Sequence, residues 1–239
     1  MKIGKIEVVK LLEVIKPLNE LCVEMDLYFN NIGLNIIEMC PANVSLININ
    51  IKKENFIVYN VETELKVGIN VKTFLDNIKD FKKEVVSLEV ENDFLHLDYS
   101  NGLKSKIPLI EREQEKTKMP EVNGYNHNII LDSKEFKGFI NHFKSNFESI
   151  NFIVKNDLFT LNSKTDLSNS EIEVKSKIET LIESESKSKF SLEYLSKIFK
   201  YYLSSETELK VGNDLPLFIV FNKGNTEIKV YLAPRVENE

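Results

Sequence analysis

The amino-acid sequence predicts an α+β fold of two similar domains, each laying two helices on one face of antiparallel sheets. Two observations support this prediction. Helical and strand-like hydrophobic patterns follow one another in the order helix, strands, helix, strands, and this order occurs twice. Corresponding positions also carry similar residues, since Leu88 and Val90 match Leu209 and Val211. Because an amphipathic helix must bury its apolar stripe, the strands beside it are expected to form the surface that receives it.

A polar stretch divides the two halves. Residues 111–126 have almost no apolar periodicity, begin with a charged run and contain Pro120 and Gly124. Such a segment buries too little apolar surface to order itself. It would ordinarily be a surface loop within one domain, but its flanks resemble each other. We therefore predict domains at 1–110 and 127–239, joined by a connector at 111–126.

The first half begins with a predicted strand at residues 2–6 and a helix over 7–22. The apolar stripe of that helix is Val8, Leu11, Leu12, Ile15 and Leu18. Pro17 lies inside the pattern and is expected to kink or break the helix. Alternating segments then predict a series of strands. A second helix over 71–81, with Val71, Phe74, Leu75 and Ile78 as its stripe, precedes three more strands.

The second half repeats this order. After a strand at HNIILD, Ser133 is expected to cap a helix with the stripe Phe136, Phe139, Ile140 and Phe143. Further strands lead to the segment FSLEYLSKIFKYY, the fourth helix, whose inward positions are Leu192, Leu195, Ile198 and Phe199. The chain closes with strands at TELKVGN, LPLFIVFN and TEIKVYLAP.

Lysines occupy the helix faces opposite the apolar stripes. They are Lys10, Lys72, Lys79, Lys137, Lys144, Lys197 and Lys200. Charged residues there are typical of any surface helix, so these side chains could serve only solubility in a protein-interaction module. Their recurrence on four helices of a duplicated unit favours a second interpretation, in which the four faces line a channel for duplex DNA.

Composition narrows the classes of function. The 239-residue chain is 42% hydrophobic with net charge −6, which leaves room for a basic face on an acidic protein. No apolar run approaches the ~20 residues of a membrane helix, and the N-terminus lacks a signal peptide, so an intracellular location is expected. Cys22 and Cys40 are expected as buried thiols.

Catalytic and metal-binding patterns are not found in the sequence. It has no G-x-S-x-G, no Gly-rich phosphate loop and no Cys-x-x-Cys. His96, His127 and His142 are scattered and are expected on the surfaces of strands or helices. An enzyme is therefore the disfavoured class, and neither a cofactor nor a metal is expected.

Several stretches together resemble a known family. NELC ends the first helix, IGLNIIEMCPANVSLININI gives strand, turn and strand, SLEYLSKIFK gives the fourth helix, and NDLPLFIVF precedes YLAPRVE at the end. In this order they resemble the sliding clamps of the proliferating cell nuclear antigen (PCNA) family, archaeal-type, over effectively the whole chain. YLAPRVE with DLP upstream is the most specific signal. Cys40 stands where the family often has Asp.

The resemblance implies two DNA-clamp domains per chain, assembled as a trimer into a pseudo-six-fold ring around double-stranded DNA. The lysine faces would contact DNA without reading its sequence. Subunit contacts are implied at the segments 102–109 and 171–178, through Gly102, Leu103, Ser105, Ile107, Glu171, Ile172, Val174 and Ile178. The implied alternatives are a ring of identical chains, a mixed ring of paralogous subunits, or a scaffold without ring closure of its own.

The resemblance also implies a docking groove for short peptide motifs. Its occupants would be DNA polymerase, flap nuclease, ligase and the clamp loader. The implied lining is Met39, Val44, Leu46, Met119, Pro120, Val122, Pro216, Tyr231, Leu232, Ala233 and Pro234. Leu46, Tyr231 and Leu232 could equally be ordinary strand core.

Overall fold

A computed structural model describes residues 1–112, 117–202 and 204–235, which form two compact units. The first comprises Met1–Pro41, Ile47–Met119 and Gly224–Ile228, and the second Ala42–Leu46, Pro120–Lys223 and Lys229–Glu239. Two parts of the predicted segments lie outside the described residues. They are residues 113–116 of the connector and residues 236–237 at the end of the YLAPRVE motif. The predicted domain limits at 110 and 127 stay a prediction.

The elements of the first half follow one another as predicted. They are β1 (Lys2–Glu7), α1 (Val8–Leu18), β2 (Glu24–Asn30), β3 (Gly33–Met39), β4 (Ser45–Lys52), a short 3-10 helix (Lys53–Asn55), β5 (Phe56–Tyr59), β6 (Leu65–Asn70), α2 (Val71–Ile78), β7 (Val85–Glu91), β8 (Phe94–Tyr99) and β9 (Lys104–Pro108). One sheet has the order β5-β1-β7-β8-β9. The strands β4-β3-β2-β6 are hydrogen-bonded neighbours in a second.

The second half contains the same α-helices and strands in the same order. They are β10 (His127–Asp132), α3 (Ser133–Lys144), β11 (Ser149–Lys155), β12 (Leu158–Lys164), β13 (Asn169–Val174), β14 (Ser176–Thr180), β15 (Ser186–Ser191), α4 (Leu192–Tyr201), β16 (Glu206–Val211), β17 (Leu217–Lys223) and β18 (Thr226–Leu232). The five-strand order β14-β10-β16-β17-β18 and the four-strand order β13-β12-β11-β15 repeat those of the first half. The duplication and the α+β fold are confirmed.

The helices pack in pairs, α1 with α2 and α3 with α4. Every residue of the α1 and α4 stripes is buried. In α2 and α3 the stripe is narrower than predicted, because Leu75 and Phe139 are only half-buried. Pro17 is the penultimate residue of α1, where the helix ends, and the amide of Asn19 closes the last turn on the carbonyl of Ile15 at 3.0 Å.

Aromatic side chains hold the helices of the second unit to its sheets. Phe136 of α3 lies with its ring centroid 4.9 Å from that of Phe199 on α4 and 5.8 Å from that of Phe152 on β11. All three rings are fully buried. Edge-to-face contacts of this kind add to the stabilisation from burying each ring. The helix pair is therefore fixed by its apolar side, which leaves its polar side available for other contacts.

The predicted cap of α3 is wrong. Asp132 is the N-cap, and its carboxylate accepts hydrogen bonds from the amides of Lys134 at 2.9 Å and Glu135 at 2.8 Å. Ser133 is the first helical residue, completely buried, and its hydroxyl lies 2.5 Å from that of Thr207. An Asp followed by a Ser offers two capping side chains, and the carboxylate is the stronger acceptor at the positive end of a helix.

No helix in the described part of the chain is long and apolar enough to cross a membrane.

Candidate nucleic-acid and partner-binding site

The predicted DNA-contacting lysines of the first unit lie on or beside its helix pair. Lys10 of α1 is half-buried, Lys72 of α2 is exposed, and Lys79 follows the last residue of α2. The ammonium of Lys79 donates to the Asp76 carboxylate at 2.8 Å. That hydrogen bond lowers the pKa of Asp76 and raises the pKa of Lys79. Part of the Lys79 charge is thus balanced by an acidic residue of the helix that it follows.

The lysines of the second unit connect its two helices. The ammonium of Lys137 on α3 donates to the carbonyl oxygen of Lys200 at 3.1 Å, and that of Lys144 donates to the hydroxyl of Ser196 on α4 at 2.7 Å. Because α3 thereby contacts α4 through lysine side chains, these lysines share the polar side of one helix pair. Cations near a helix C-terminus are also favoured by the helix dipole, which suits Lys144 and Lys200 in the last turns of α3 and α4.

One of these lysines is paired within its own helix. Lys197 contacts Glu193 at 2.7 Å in an (i, i+4) pair, and this contact lowers the pKa of Glu193. Glu193 is exposed and Lys197 half-buried, so the pair is largely screened by water and adds little stability. A phosphate approaching this face would compete with a carboxylate for the Lys197 charge. Of the seven predicted lysines, Lys72, Lys144 and Lys200 combine exposure with a place inside a helix.

Each of the two predicted subunit-contact segments includes residues of a terminal strand of its sheet. β9 contains Ser105 and Ile107, and β13 contains Glu171, Ile172 and Val174. In the described chain β9 is the last strand beside β8, and β13 the last beside β12. Gly102 and the 43% exposed Leu103 lie in the turn that leads into β9. A terminal strand presents backbone amides and carbonyls that another strand can pair with.

Ile178 does not belong to the same edge as the other predicted contacts. The segment 171–178 is divided at Lys175, and Ile178 lies on β14, opposite Ile129 of β10. The sequence pattern alternates through both strands without a turn signal, so periodicity alone does not reveal the change of sheet. Of the two strands in segment 171–178, only β13 is a terminal strand of the four-strand order.

The groove residues of the second unit are held by hydrogen bonds to backbone carbonyls. The Tyr231 hydroxyl donates to the carbonyl of Pro120 at 3.2 Å, and the Tyr125 hydroxyl donates to that of Pro216 at 3.0 Å. The amide of Ala233 donates to the carbonyl of Val44 at 2.8 Å. Residues from distant parts of the sequence therefore meet beside the end of β18.

An apolar surface accompanies these contacts. The rings of Phe218 and Tyr231 lie 4.7 Å apart, and burial raises the pKa of Tyr231. Val44, Val122, Pro216, Ala233 and Pro234 are half-buried and Pro120 is exposed. Partly exposed aromatic and proline side chains of this kind are suited to receive the apolar anchors of a peptide.

Two of the predicted groove residues are core. Leu46 is 3% exposed and Leu232 is fully buried, so each serves packing within its strand. Met39, 40% exposed, and Met119, half-buried, belong to the first unit. For single strand residues, alternation in the sequence does not show which of the two faces is covered.

The first unit contains a buried charge cluster that the sequence patterns did not predict. Arg112 donates to both carboxylate oxygens of Glu38, at 2.7 and 3.1 Å, and lies 3.4 Å from Asp26. Lys66 approaches Asp26 at 3.3 Å and donates to the backbone carbonyl of Arg112 at 2.8 Å. The side chains of Asp26, Glu38 and Arg112 are only 6%, 7% and 12% exposed. The cluster fixes the start of the predicted connector to β2, β3 and β6.

Other titratable groups in the first unit are shielded from solvent. Cys22 and Cys40 are buried free thiols, as expected. Burial raises the pKa of Cys22 to about 12, and the nearby Glu38 and Cys40 add to this. A thiol with so high a pKa is a poor nucleophile.

One histidine departs from the prediction, and the described chain offers no metal site. His127 is buried, with its Nε2 3.0 Å from the carbonyl of Ser184, whereas a surface position was expected. Among residues 1–112, 117–202 and 204–235, no group of three or more His, Cys, Asp or Glu side chains is placed to hold a metal ion.

Comparison with known proteins supports the resemblance. No protein-family model matches the chain. It is 29% identical to DNA polymerase sliding clamp 2 of Sulfolobus acidocaldarius, covering 99% of this chain and all of that protein, and 27% identical to the sliding clamp of Archaeoglobus fulgidus, covering 90% and 91%.

Solved structures agree over the whole length. The A. fulgidus PCNA bound to the C-terminal region of FEN-1 matches with TM-score 0.90 and 25% identity over all of both chains. The PCNA of Entamoeba histolytica has the same fold, with TM-score 0.88 and 21% identity over 98% of this chain and 99% of that one. Over its whole length the chain is therefore similar to DNA polymerase sliding clamps of the PCNA family, archaeal ones among them.

Proposed function

We propose that this protein is a ring-shaped sliding clamp that encircles duplex DNA and tethers polymerase and other DNA-processing enzymes to it. The observation that carries the proposal is the likeness, over all of both chains, to a PCNA bound to the C-terminal region of FEN-1. The duplicated topology supports it, because repeated units with terminal strands are the parts from which a closed ring can be built.

The DNA-facing side is assigned to the helix pairs. The ammonium groups of their lysines can contact phosphates, and contacts to phosphates do not distinguish one base sequence from another. Contact would then be sequence-independent and weaken with rising salt as counterions are released. The net charge of −6 disfavours DNA elsewhere on the protein and helps to confine it to the lysine faces.

The partner-binding side is assigned to the apolar surface around Tyr231 and Pro120. A short peptide with aromatic anchors would dock there, since hydrogen bonds from the Tyr231 and Tyr125 hydroxyls to the backbone carbonyls of Pro120 and Pro216 position this surface before the peptide arrives. The protein itself would perform no chemistry. Its effect would be to raise the concentration of a partner enzyme at the primer terminus. It would therefore act inside the cell, where DNA is replicated and repaired.

The docking surface can be tested by one exposed substitution. Pro120→Glu places a charge at an exposed position of this surface and keeps the backbone carbonyl that accepts from Tyr231. Affinity for a peptide copying the C-terminal region of FEN-1, measured by calorimetry, should fall at least tenfold. Ile32→Glu, at a 68% exposed position outside the predicted groove, is the matched control. Equal affinity of the two variants would remove Pro120 from the docking surface.

A further inference from the structure

The first unit exposes three large apolar side chains from two segments that touch each other. Ile32 is 68% exposed in the turn between β2 and β3, and Ile57 and Val58 of β5 are 60% and 41% exposed. The segments are in contact, because the amide of Lys53 donates to the carbonyl of Ile32 at 2.8 Å. A single exposed apolar residue is ordinary, whereas a group of them marks a site of interaction. We call Ile32, Ile57 and Val58 the apolar corner.

A β-bulge explains why two adjacent residues of β5 are both exposed. Lys5 of β1 pairs with Val58, but the next residue of β1 pairs with Phe56, so Ile57 is an extra residue in the ladder. Neighbouring residues of a regular strand would point to opposite faces. β5 is also the terminal strand of its five-strand order, and a bulge there disturbs the ladder that an added strand would need. The apolar corner is therefore suited to contact through side chains and not to strand addition.

Hydrogen bonds hold the apolar corner in place before any partner arrives. The hydroxyl of Tyr59, next to Val58, lies 2.7 Å from the backbone carbonyl oxygens of both Asn30 and Gly33, at the two ends of the β2–β3 turn. Asn30 also closes this turn, since its side-chain oxygen accepts from the amide of Ile32 at 2.8 Å. A surface that is already ordered loses little conformational entropy when it is bound.

Positive charge surrounds the apolar corner although the protein as a whole is acidic. Lys5 stands opposite Val58, and Lys52 and Lys53 lie where β4 ends and the 3-10 helix begins. All three lysines are exposed, and within the described chain their ammonium groups form no salt bridge. Glu54 is the one acidic residue from Lys52 to the end of β5. Against a net charge of −6, this part of the surface is therefore locally basic.

A small cavity adjoins the apolar corner at Ile32. It has a volume of about 220 Å³, and its lining includes Asn35, Asn50 and Lys52. This volume is below the roughly 300–1,000 Å³ of cavities that take small-molecule ligands, so it suits a single side chain of a larger partner. Lys52 in the lining favours a side chain that ends in a carboxylate.

We propose that the apolar corner and its lysines, Lys5, Lys52 and Lys53, form a second docking surface, whose occupant is an acidic amphipathic segment of a partner protein. Apolar side chains of that segment would cover the corner, and its carboxylates would face the lysines. Most of this acidic protein repels such a segment and this surface attracts it, so charge adds specificity to the apolar contact. The surface is distinct from that around Tyr231 and Pro120, which belong to the second unit.

Duplex DNA is the competing occupant for a group of exposed lysines. Its phosphates would satisfy the ammonium groups but would leave the apolar corner uncovered. Burial of apolar surface stabilises a complex with a peptide that carries apolar side chains. The peptide is therefore the favoured occupant, and competition by DNA is one outcome of the test.

The test selects short random peptides displayed on phage with the full chain, while excess peptide copying the C-terminal region of FEN-1 occupies the other surface. The enriched sequences should be acidic and contain several large apolar residues. Calorimetry of the synthesised peptides should show an affinity at least about tenfold lower for Ile57→Glu and for Lys5→Glu with Lys53→Glu. Selection without enrichment, enriched peptides without an excess of acidic residues, or full affinity for both variants would overturn the proposal.

Matched controls separate this surface from general effects of charge. Leu167→Glu places the same charge on a 98% exposed leucine of the second unit, and Lys164→Glu with Lys187→Glu makes the same change of net charge at exposed lysines there. Both should bind the selected peptides as the unchanged chain does, and circular dichroism checks that every variant is folded. Displacement of the selected peptides by a duplex oligonucleotide would assign the lysines to nucleic acid and overturn the proposal.

Failure of this surface and failure of the proposed function are distinguishable. Pro120→Glu should weaken binding of the FEN-1 peptide and leave the acidic peptides bound, whereas Ile57→Glu should do the reverse. Loss of both peptides in each variant would overturn the existence of a second surface. A chain that binds acidic peptides as described but is not retained on circular DNA would refute the proposed function alone.

Discussion

At the scale of single residues, the least expected feature is the salt-bridge cluster around Arg112. Two carboxylates with side chains under 8% exposed, those of Asp26 and Glu38, share one guanidinium at 3.4 and 2.7 Å. Removing one member of a buried ion pair leaves its partner charged and unpaired, which costs far more than losing an exposed pair. No motif in the sequence indicates this, because the participants come from β2, β3 and the start of the connector.

Arg112→Met should therefore destabilise the first unit by about 3 kcal/mol, the order expected for a broken buried pair. Lys155→Met removes a lysine from an exposed pair with Glu185 and should cost less than about 1 kcal/mol. Chemical denaturation of both variants measures the difference. Equal losses would show that the Arg112 cluster is as solvent-screened as a surface pair.

Two tyrosines, the buried Tyr99 and the half-buried Tyr59, predict how stability changes at high pH. Burial raises the pKa of Tyr59 and of Tyr99 from 10.0 to about 12, and each hydroxyl donates to a backbone carbonyl at 2.7 Å. The unfolded chain therefore loses these protons first. The stability they provide is fully present below pH 10 and declines as pH rises through 10 to 12.

Denaturation midpoints measured from pH 9 to 11.5 should show this decline, and Tyr59→Phe with Tyr99→Phe should flatten it, because phenylalanine has no proton to lose. The double variant will be less stable at pH 9 but should lose less stability with rising pH. An identical slope in both proteins would assign the decline to other groups.

At the scale of elements, strong hydrophobic periodicity predicted the helices and strands well. Prediction was poor where two different structures have the same alternation of apolar and polar residues. The stripes of α1 and α4 are buried as expected. The split of 171–178 into two strands was not predictable, since alternation continues across Lys175. Likewise, Leu46 and Leu232 alternate as a half-exposed strand would, yet both are covered.

The cap of α3 gives an element-scale prediction. Asp132→Ala removes the acceptor for two amides at the start of the helix and should lower stability by about 1 kcal/mol. Ser191→Ala, at the equivalent position of α4 where the side chain makes no capping hydrogen bond, is the matched control and should cost less. Thermal unfolding compares the two. A larger loss for Ser191→Ala would contradict the assignment of Asp132 as the working cap.

At the scale of the whole molecule, the fold was predictable because the duplication is visible in the residues and the final YLAPRVE motif is specific. The binding sites were less predictable from the sequence than the fold. Lysines opposite an apolar stripe occur on any surface helix, and the sequence does not show which of them are balanced by a neighbouring acid, as Lys79 is by Asp76. Groove residues are equally hard to separate from core in the sequence.

Charge reversal at exposed lysines tests the DNA-facing side. Lys72→Glu, Lys79→Glu and Lys200→Glu together should weaken retention on DNA and lower the salt dependence of binding, by roughly 0.9 in the log–log slope for each phosphate that is no longer neutralised. Lys52, Lys53 and Lys223, all exposed and outside the helix pairs, provide a control with the same charge change. Equal retention of the two triple variants would place the DNA elsewhere.

The most direct measurement of the central claim compares retention on closed and open DNA. The clamp, loaded on a nicked circular duplex by a clamp loader, should remain bound through gel filtration in moderate salt, and cutting the circle once should release it from the new ends. Encirclement predicts this dependence on DNA topology whatever the base sequence. Equal retention on the circular and the linearised duplex would contradict encirclement and leave only ordinary surface binding.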